Sequence, residues 1–166
     1  MTHIPQPTPR PIVVPTSGAA MNSNDPVSGR SPIDVAFLYD VERPFSVVID
    51  LAAPSGHGYE EDGRFARWEV AREVLHTGAA WQSPSGSCDF LTMPVNDERI
   101  ELRFYVTNNT PCRHEPPCHP PGSYLSVVLP RADLLRFLDL SVRAVPIGRE
   151  SNYLDIDSAL AALLAR

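Results

Sequence analysis

Leu129-Pro130-Arg131-Ala132-Asp133-Leu134-Leu135-Arg136-Phe137-Leu138 is the stretch on which the fold of this chain turns. Apolar residues recur in it at helical spacing. Leu135, Leu138, Val142 and Val145 stand at i, i+3, i+7 and i+10, which defines a buried stripe. Pro130 suits a first helical turn, and Asp133 near that end complements the helix dipole. Val145-Pro146-Ile147-Gly148-Arg149-Glu150 interrupts the helix. Leu154 to Leu164 makes a second one, in which Ile156, Leu160, Leu163 and Leu164 repeat the spacing and Asp155 or Asp157 serves as cap.

Ahead of this helical block the pattern changes to that of strands. Residues 33–39 are rich in β-branched and aromatic side chains, and Phe45 to Leu51 is built around Val47, Val48 and Ile49. Asp40 to Pro44 carries turn chemistry between them, and Pro54 to Gly63 is a glycine-marked hairpin loop. Phe65 to Val70 is a short strand running into a helix-like Ala71-Arg72-Glu73-Val74-Leu75-His76. Ser83-Pro84-Ser85-Gly86 is a turn, and Asp89 to Met93 a strand stopped by Pro94. Arg99 to Val106 alternates, with Ile100, Leu102, Phe104 and Val106 on one side. A proline-rich loop, Asn108 to Gly122, leads to a last strand at Tyr124-Leu125-Ser126-Val127-Val128. Strands, a helix, more strands and two helices describe an α+β domain.

The 166 residues are enough for one domain with a sizeable core. The first 31 hold six of the 18 prolines and one aliphatic cluster, Ile12-Val13-Val14. Such a stretch buries too little apolar surface to offset its ordering entropy, so residues 1–31 are expected to be a flexible arm and 32–166 the domain. No basic start followed by an apolar run marks a secretory signal. Nor does any stretch reach the roughly 18 apolar residues of a membrane span. A cytoplasmic protein is expected.

Charge narrows the partners. The arm carries Arg10 and Arg30 against Asp25 and is +1, which leaves −7 on the body of a chain whose net charge is −6. An acidic body works against phosphate binding, which draws its affinity from cations that displace counterions. All 14 basic residues are Arg, and the lack of Lys excludes a P-loop lysine, a Schiff-base lysine or a lysine base.

Candidate chemistry is thin. Cys112, His114, Cys118 and His119 place four possible zinc ligands within eight residues. Pro116-Pro117 forbids the helix on which a metalloprotease motif depends, and the spacing departs from the two separated ligand pairs of structural zinc sites. A Cys112–Cys118 disulfide is disfavoured in a reducing cytosol. A proline-stiffened loop joining two strands is the plainer account. Cys88 is read as a small buried residue, and Glu60-Glu61-Asp62 as a solvated loop tip. No Gly-x-Ser-x-Gly elbow occurs, and Gly56-His57-Gly58 lacks dinucleotide spacing. No catalytic or cofactor-binding residue is expected.

A family resemblance gathers these segments. Tyr39-Asp40 and Pro44-Phe45, Trp68 with Ala71-Arg72-Glu73-Val74-Leu75, and Gly86-Ser87-Cys88-Asp89 with Met93-Pro94 follow in the order and spacing of the SsgA-like family. So do Phe137-Leu138, Val145-Pro146 with Gly148 and Glu150, Leu154-Asp155-Ile156-Asp157, Leu160 and Leu163-Leu164. The chain resembles these small cell-division regulators of filamentous spore-forming bacteria from about Leu38 to Arg166. The resemblance implies twisted antiparallel sheets with C-terminal helices, a two-sheet fold similar to Whirly-type nucleic-acid-binding proteins, often assembled as trimers. It also implies a non-catalytic adaptor of septation that helps place the tubulin-like division protein FtsZ, with FtsZ or another SsgA-like protein as partner at the septum.

This chain departs from the pattern at Asp139-Leu140, where members often carry Lys-Arg, and at Cys88, which replaces a glycine. Its proline- and cysteine-rich loop and long N-terminal arm look like additions. The alternative function is single-stranded nucleic-acid binding by the Whirly-like architecture, with Trp68, Trp81, Phe104 and Tyr105 able to stack on bases. The negative body argues against it.

Overall fold

The computed structural model describes residues 10–22, 29–53, 64–87, 89–105, 123–154 and 156–164. Eight strands form one antiparallel sheet: β1 (Ile12–Asn22), β2 (Ser31–Tyr39), β3 (Ser46–Ala52), β4 (Arg64–Ala71), β5 (Ser85–Ser87), β6 (Phe90–Pro94), β7 (Arg99–Tyr105) and β8 (Tyr124–Pro130). Their order across the sheet is β4-β3-β2-β1-β8-β7-β6-β5. Helix α1 (Arg72–Ala80) follows β4, α2 (Arg131–Ala144) follows β8, and a 3-10 turn (Glu150–Tyr153) leads to α3 (Ile156–Leu164). The α+β class read from the sequence holds, while the expected two sheets are one continuous sheet.

The sheet curls strongly. Trp68 on β4 and Phe104 on β7 stand five strands apart, about 24 Å in a flat sheet at the usual spacing, yet their ring centroids are 5.2 Å apart. The concave face therefore closes on itself. Period-two alternation sends Ile33, Val35 and Phe37 of β2, Val47, Ile49 and Leu51 of β3, and Ile100, Leu102 and Phe104 of β7 into that concavity. Helix α2 plugs it: Phe137 stacks on Phe37 with centroids 5.2 Å apart. The buried face of α2 runs through Leu134, Phe137, Leu138 and Ser141 to Val145. Leu138 and Val145 of the expected stripe lie in it, whereas Leu135 and Val142 flank it half-buried. Pro130 is extended and caps the helix instead of entering it, so the first helical residue is Arg131.

The flexible-arm expectation fails for Ile12–Asn22, which form a strand at the centre of the sheet. β1 pairs with β2 from Ile12↔Tyr39 to Ala20↔Ser31, and with β8 only from Ala19 to Asn22. Pro15 thus sits where β1 has one neighbour, so its missing N–H leaves no ladder broken on the other side. Gly18 lets β1 come against β8, because a Cβ there would lie 2.8 Å from the Val128 carbonyl oxygen. Thr16 Oγ1 donates to Asp133 Oδ2 at 2.6 Å, tying β1 to the first turn of α2. The polar and small residues that suggested disorder are those that a central strand crossed by a helix can hold.

Two local expectations also change. Ser85 and Gly86, read as the end of a turn, belong with Ser87 to the edge strand β5. The apolar stripe of α3 is solvent-exposed, not buried. Its proposed caps, Asp155 and the side chain of Asp157, lie outside the described residues, as do the 54–63 hairpin loop and the 106–122 loop.

Candidate functional site

Arg72, the first residue of α1, organises the region where the two packed helices meet. It is 3% exposed, in a position that β4 and α1 create together. Its backbone N–H donates to the Phe45 carbonyl at 2.9 Å. Its Nη1 donates to Tyr39 Oη (3.0 Å), the Ser141 carbonyl (3.2 Å) and the Val145 carbonyl (2.8 Å). Its Nη2 pairs with the Glu150 carboxylate. Tyr39 Oη in turn donates to the Pro44 carbonyl at 3.2 Å.

The guanidinium therefore sits on the carboxyl end of α2, where helix carbonyls lack partners and the dipole favours a cation. The opposite end of the pair is built the same way: Arg131 at the start of α2 donates from Nε to the Ala79 carbonyl near the end of α1, at 2.8 Å. The two helices run antiparallel, each closing the other's C-terminus with an arginine. In a chain without lysine, the planar five-donor fork serves both junctions.

The electrostatics follow from burial and pairing. Burial raises the Tyr39 phenol above its ordinary range, although the Arg72 charge pulls the other way, so it stays a neutral donor. Desolvation works against ionisation of Glu150, but backbone hydrogen bonds and Arg72 outweigh it and hold the carboxyl below its usual value. The same balance lowers Glu101 on the convex face, where Arg103 and Ser126 hydrogen-bond to it.

Around Arg72 lies an open groove of about 540 Å³ between α1, α2 and the 147–150 turn. Its floor includes Leu138 and Val142, and Phe45, Trp81 and Ile147 rim it at 55%, 75% and 52% exposure. Gly148 adopts a left-handed φ of 79°, which turns the chain so that Glu150 returns beneath Arg72. Large apolar side chains left in water around a concavity mark a surface for another molecule.

The segments that carried the family resemblance converge here. Tyr39, Pro44, Phe45, Arg72, Val145, Gly148 and Glu150 span more than 100 residues of chain yet build one rim and its support. Sequence reasoning treated Arg72 as one letter of a motif and missed its burial. The available signal was a cation at the first position of a helix, matched to an acid after a glycine turn.

The other candidates are dispersed. Trp68 and Phe104 face the core, Tyr105 packs against Tyr124 on the opposite face of β7, and Trp81 stands at the end of α1. The four proposed stacking residues thus form no common platform. Asp139 and Leu140 are exposed on α2, with Asp139 paired to Arg143 at 2.8 Å. Among the described residues no three His, Cys, Asp or Glu side chains gather as a metal site. Cys88, Cys112, His114, Cys118, His119, His57 and Glu60-Glu61-Asp62 lie outside the described residues.

Known proteins place this geometry in context. A family model described as Streptomyces sporulation and cell division protein, SsgA, matches residues 33–150. A sporulation-specific cell division protein SsgB from Salinispora tropica is 31% identical over 134 residues, covering 81% of each chain. Its counterpart in Frankia casuarinae is 25% identical over 140 residues, covering 83% of this chain and 84% of that one. Among solved structures, an SsgA-like sporulation-specific cell division protein from Thermobifida fusca superposes with a TM-score of 0.66 at 20% identity, over 95% of this chain and 98% of its own. An SsgB structure connected with longitudinal cell division during sporulation of Streptomyces coelicolor gives 0.61 at 20% identity, over 89% and 100%.

Proposed function

The chain belongs to the SsgA family of sporulation and cell-division proteins, and we propose that it serves there as a non-catalytic adaptor that selects or prepares the septum site. It works through protein–protein contacts, with FtsZ or another SsgA-like protein as partner, in the cytoplasm and at the septum, as a homo-oligomer. The observation that carries this reading is the apolar groove rimmed by Phe45, Trp81 and Ile147. A surface of that kind binds proteins, and the ordered groups around it (Arg72, Tyr39, Glu150) are consumed in holding helices together. No helix among the described residues is long and apolar enough to cross a membrane. The likeness to Whirly-type proteins belongs to the same proposal at the level of a curled sheet, without a gathered stacking surface for bases.

The test is cellular. A fluorescent fusion in sporulating cells should collect at septa, and deletion of the gene should misplace or abolish sporulation septa. A diffuse fusion together with unchanged septa in the deletion strain overturns the reading. Titration of purified protein with single-stranded DNA at low salt should give no saturable, salt-sensitive binding; the opposite result restores the nucleic-acid alternative.

A further inference from the structure

Helix α1 turns a mixed side toward the groove beside Arg72. Glu73, His76 and Thr77 of the helix and Trp81 at its C-cap all line the groove, at i, i+3, i+4 and i+8. From Glu73 to Trp81 that side runs about 12 Å, a little over two helical turns. Leu138 and Val142 form the floor, and Ile147 stands on the rim. Phe45 belongs to the Glu73 end, because its carbonyl accepts the Arg72 backbone N–H at 2.9 Å.

The charges of this lining do not cancel. Arg72 and Glu150 are paired with each other, with side chains 4% and 12% exposed. Glu73 is exposed, and its carboxylate has no ion pair or side-chain hydrogen bond among the described residues. With His76 neutral, Arg72 set against Glu73 and Glu150 leaves the lining at −1. Arg149, exposed on the turn, is not part of the lining. The two aromatic rings of the rim add to the same preference, since a ring attracts a guanidinium or ammonium as well as apolar groups. So does the chain as a whole, which is −6 and draws cations from a distance.

From these groups we infer that the groove takes a short apolar segment of another protein, carrying an arginine or lysine at the end that lies beside Glu73 and Phe45. The inference rests on the protein-binding reading of the groove and adds the chemistry of the partner. An acidic segment meets like charge at Glu73. A wholly apolar one covers that carboxylate without a counter-charge, which costs desolvation. An anionic ligand finds Arg72 already committed to Glu150 and to the helix carbonyls. A basic apolar segment answers the floor, the rings and the acid together.

The test uses the full chain and three peptides of about 12 residues. They share leucines at i, i+3, i+4 and i+7 and differ only in a terminal pair of arginines, glutamines or glutamates. Binding is read from the anisotropy of a dye on the peptide. Coverage of the groove is read from Trp81, whose emission should move to shorter wavelength on titration, with Trp81→Phe identifying the part due to Trp68. The arginine peptide should bind saturably and about fivefold more tightly than the glutamine peptide, the reach of one exposed ion pair, with the glutamate peptide weakest. Glu73→Gln should erase the preference, and Glu73→Arg should reverse it. Ile147→Asn should weaken all three peptides about tenfold by removing part of the apolar rim. Both positions are exposed, so each variant should keep the wild-type circular dichroism.

Equal affinities for the three peptides, a preference that ignores residue 73, or no saturable binding of the arginine peptide overturns the inference. So does a Trp81 that acrylamide cannot quench in the unliganded protein, since the groove would then be filled by the chain itself or by a second copy. Binding that is lost in Ile147→Asn but shows no charge preference defeats this inference alone and leaves the protein-binding reading standing. Septal localisation tests that reading separately.

Discussion

Replacing Arg72 is the sharpest test of how this fold is held. In Arg72→Ala the Glu150 carboxylate, largely covered, loses its counter-ion, and the Val145 carbonyl loses its donor. The Ser141 carbonyl keeps the Val145 N–H at 2.9 Å, and Tyr39 Oη keeps Pro44. The loss is therefore one broken, mostly buried ion pair and one orphaned carbonyl. Breaking a buried pair from one side costs about 3–5 kcal/mol, and a domain has about 5–15 kcal/mol in total. Glu150→Gln is milder, because Arg72 still faces three neutral acceptors at the negative end of α2. Its cost should be about 1–2 kcal/mol, that of weakening one charge-assisted hydrogen bond.

Urea unfolding followed by circular dichroism at one fixed protein concentration measures both. The midpoint should drop far more for Arg72→Ala than for Glu150→Gln, with the slope unchanged. If Arg72→Ala lies within about 1 kcal/mol of wild type, or the two variants cost the same, Arg72 is not what joins the helices.

Three further outcomes follow from the same contacts. Glu150 and Glu101 are both held below the ordinary carboxylate value, near 4.3 in an unfolded chain. Their stabilisation is complete above that value and is lost as pH falls through their folded values, so urea midpoints should be flat near neutrality and decline below about pH 4. A Glu101→Gln, Glu150→Gln double variant should show a shallower decline. Thr92 Oγ1 is buried without a hydrogen-bond partner among the described residues, so Thr92→Val should raise stability by about 1 kcal/mol in the same assay; a loss of that size would mean the hydroxyl is satisfied. Deleting residues 1–22 removes the strand between β2 and β8 and should abolish cooperative thermal unfolding, whereas a dispensable arm would leave it intact.

The last prediction marks where sequence reasoning fell short. Alternation at Arg99–Tyr105 and the aliphatic run at Val47–Leu51 were legible because each strand carries its own burial pattern. β1 was not. Pro15, Ser17 and Gly18 resemble loop residues, and only the partners on either side show why they are tolerated. For α2 the period was legible but its phase was read about one residue late, since Ser141, buried through its bond to the Leu138 carbonyl, does not advertise itself as core. The resemblance to a family is shown by the match over residues 33–150, without saying what the matched residues do.

What the residues determine unaided is local: the strand and helix periods, the glycine turn at 148, an acidic chain without lysine, and the order of segments that marks the family. Tertiary structure decided the rest. Only the folded sheet makes β1 central, brings Trp68 against Phe104, and buries Arg72 between the ends of two helices. Only the folded chain shows that the stripe of α3, identical in pattern to a core stripe, faces solvent. The physical reason is common to all four. Periodicity reports that a side chain has a preferred face, while burial depends on what distant segments, or another molecule, bring to that face.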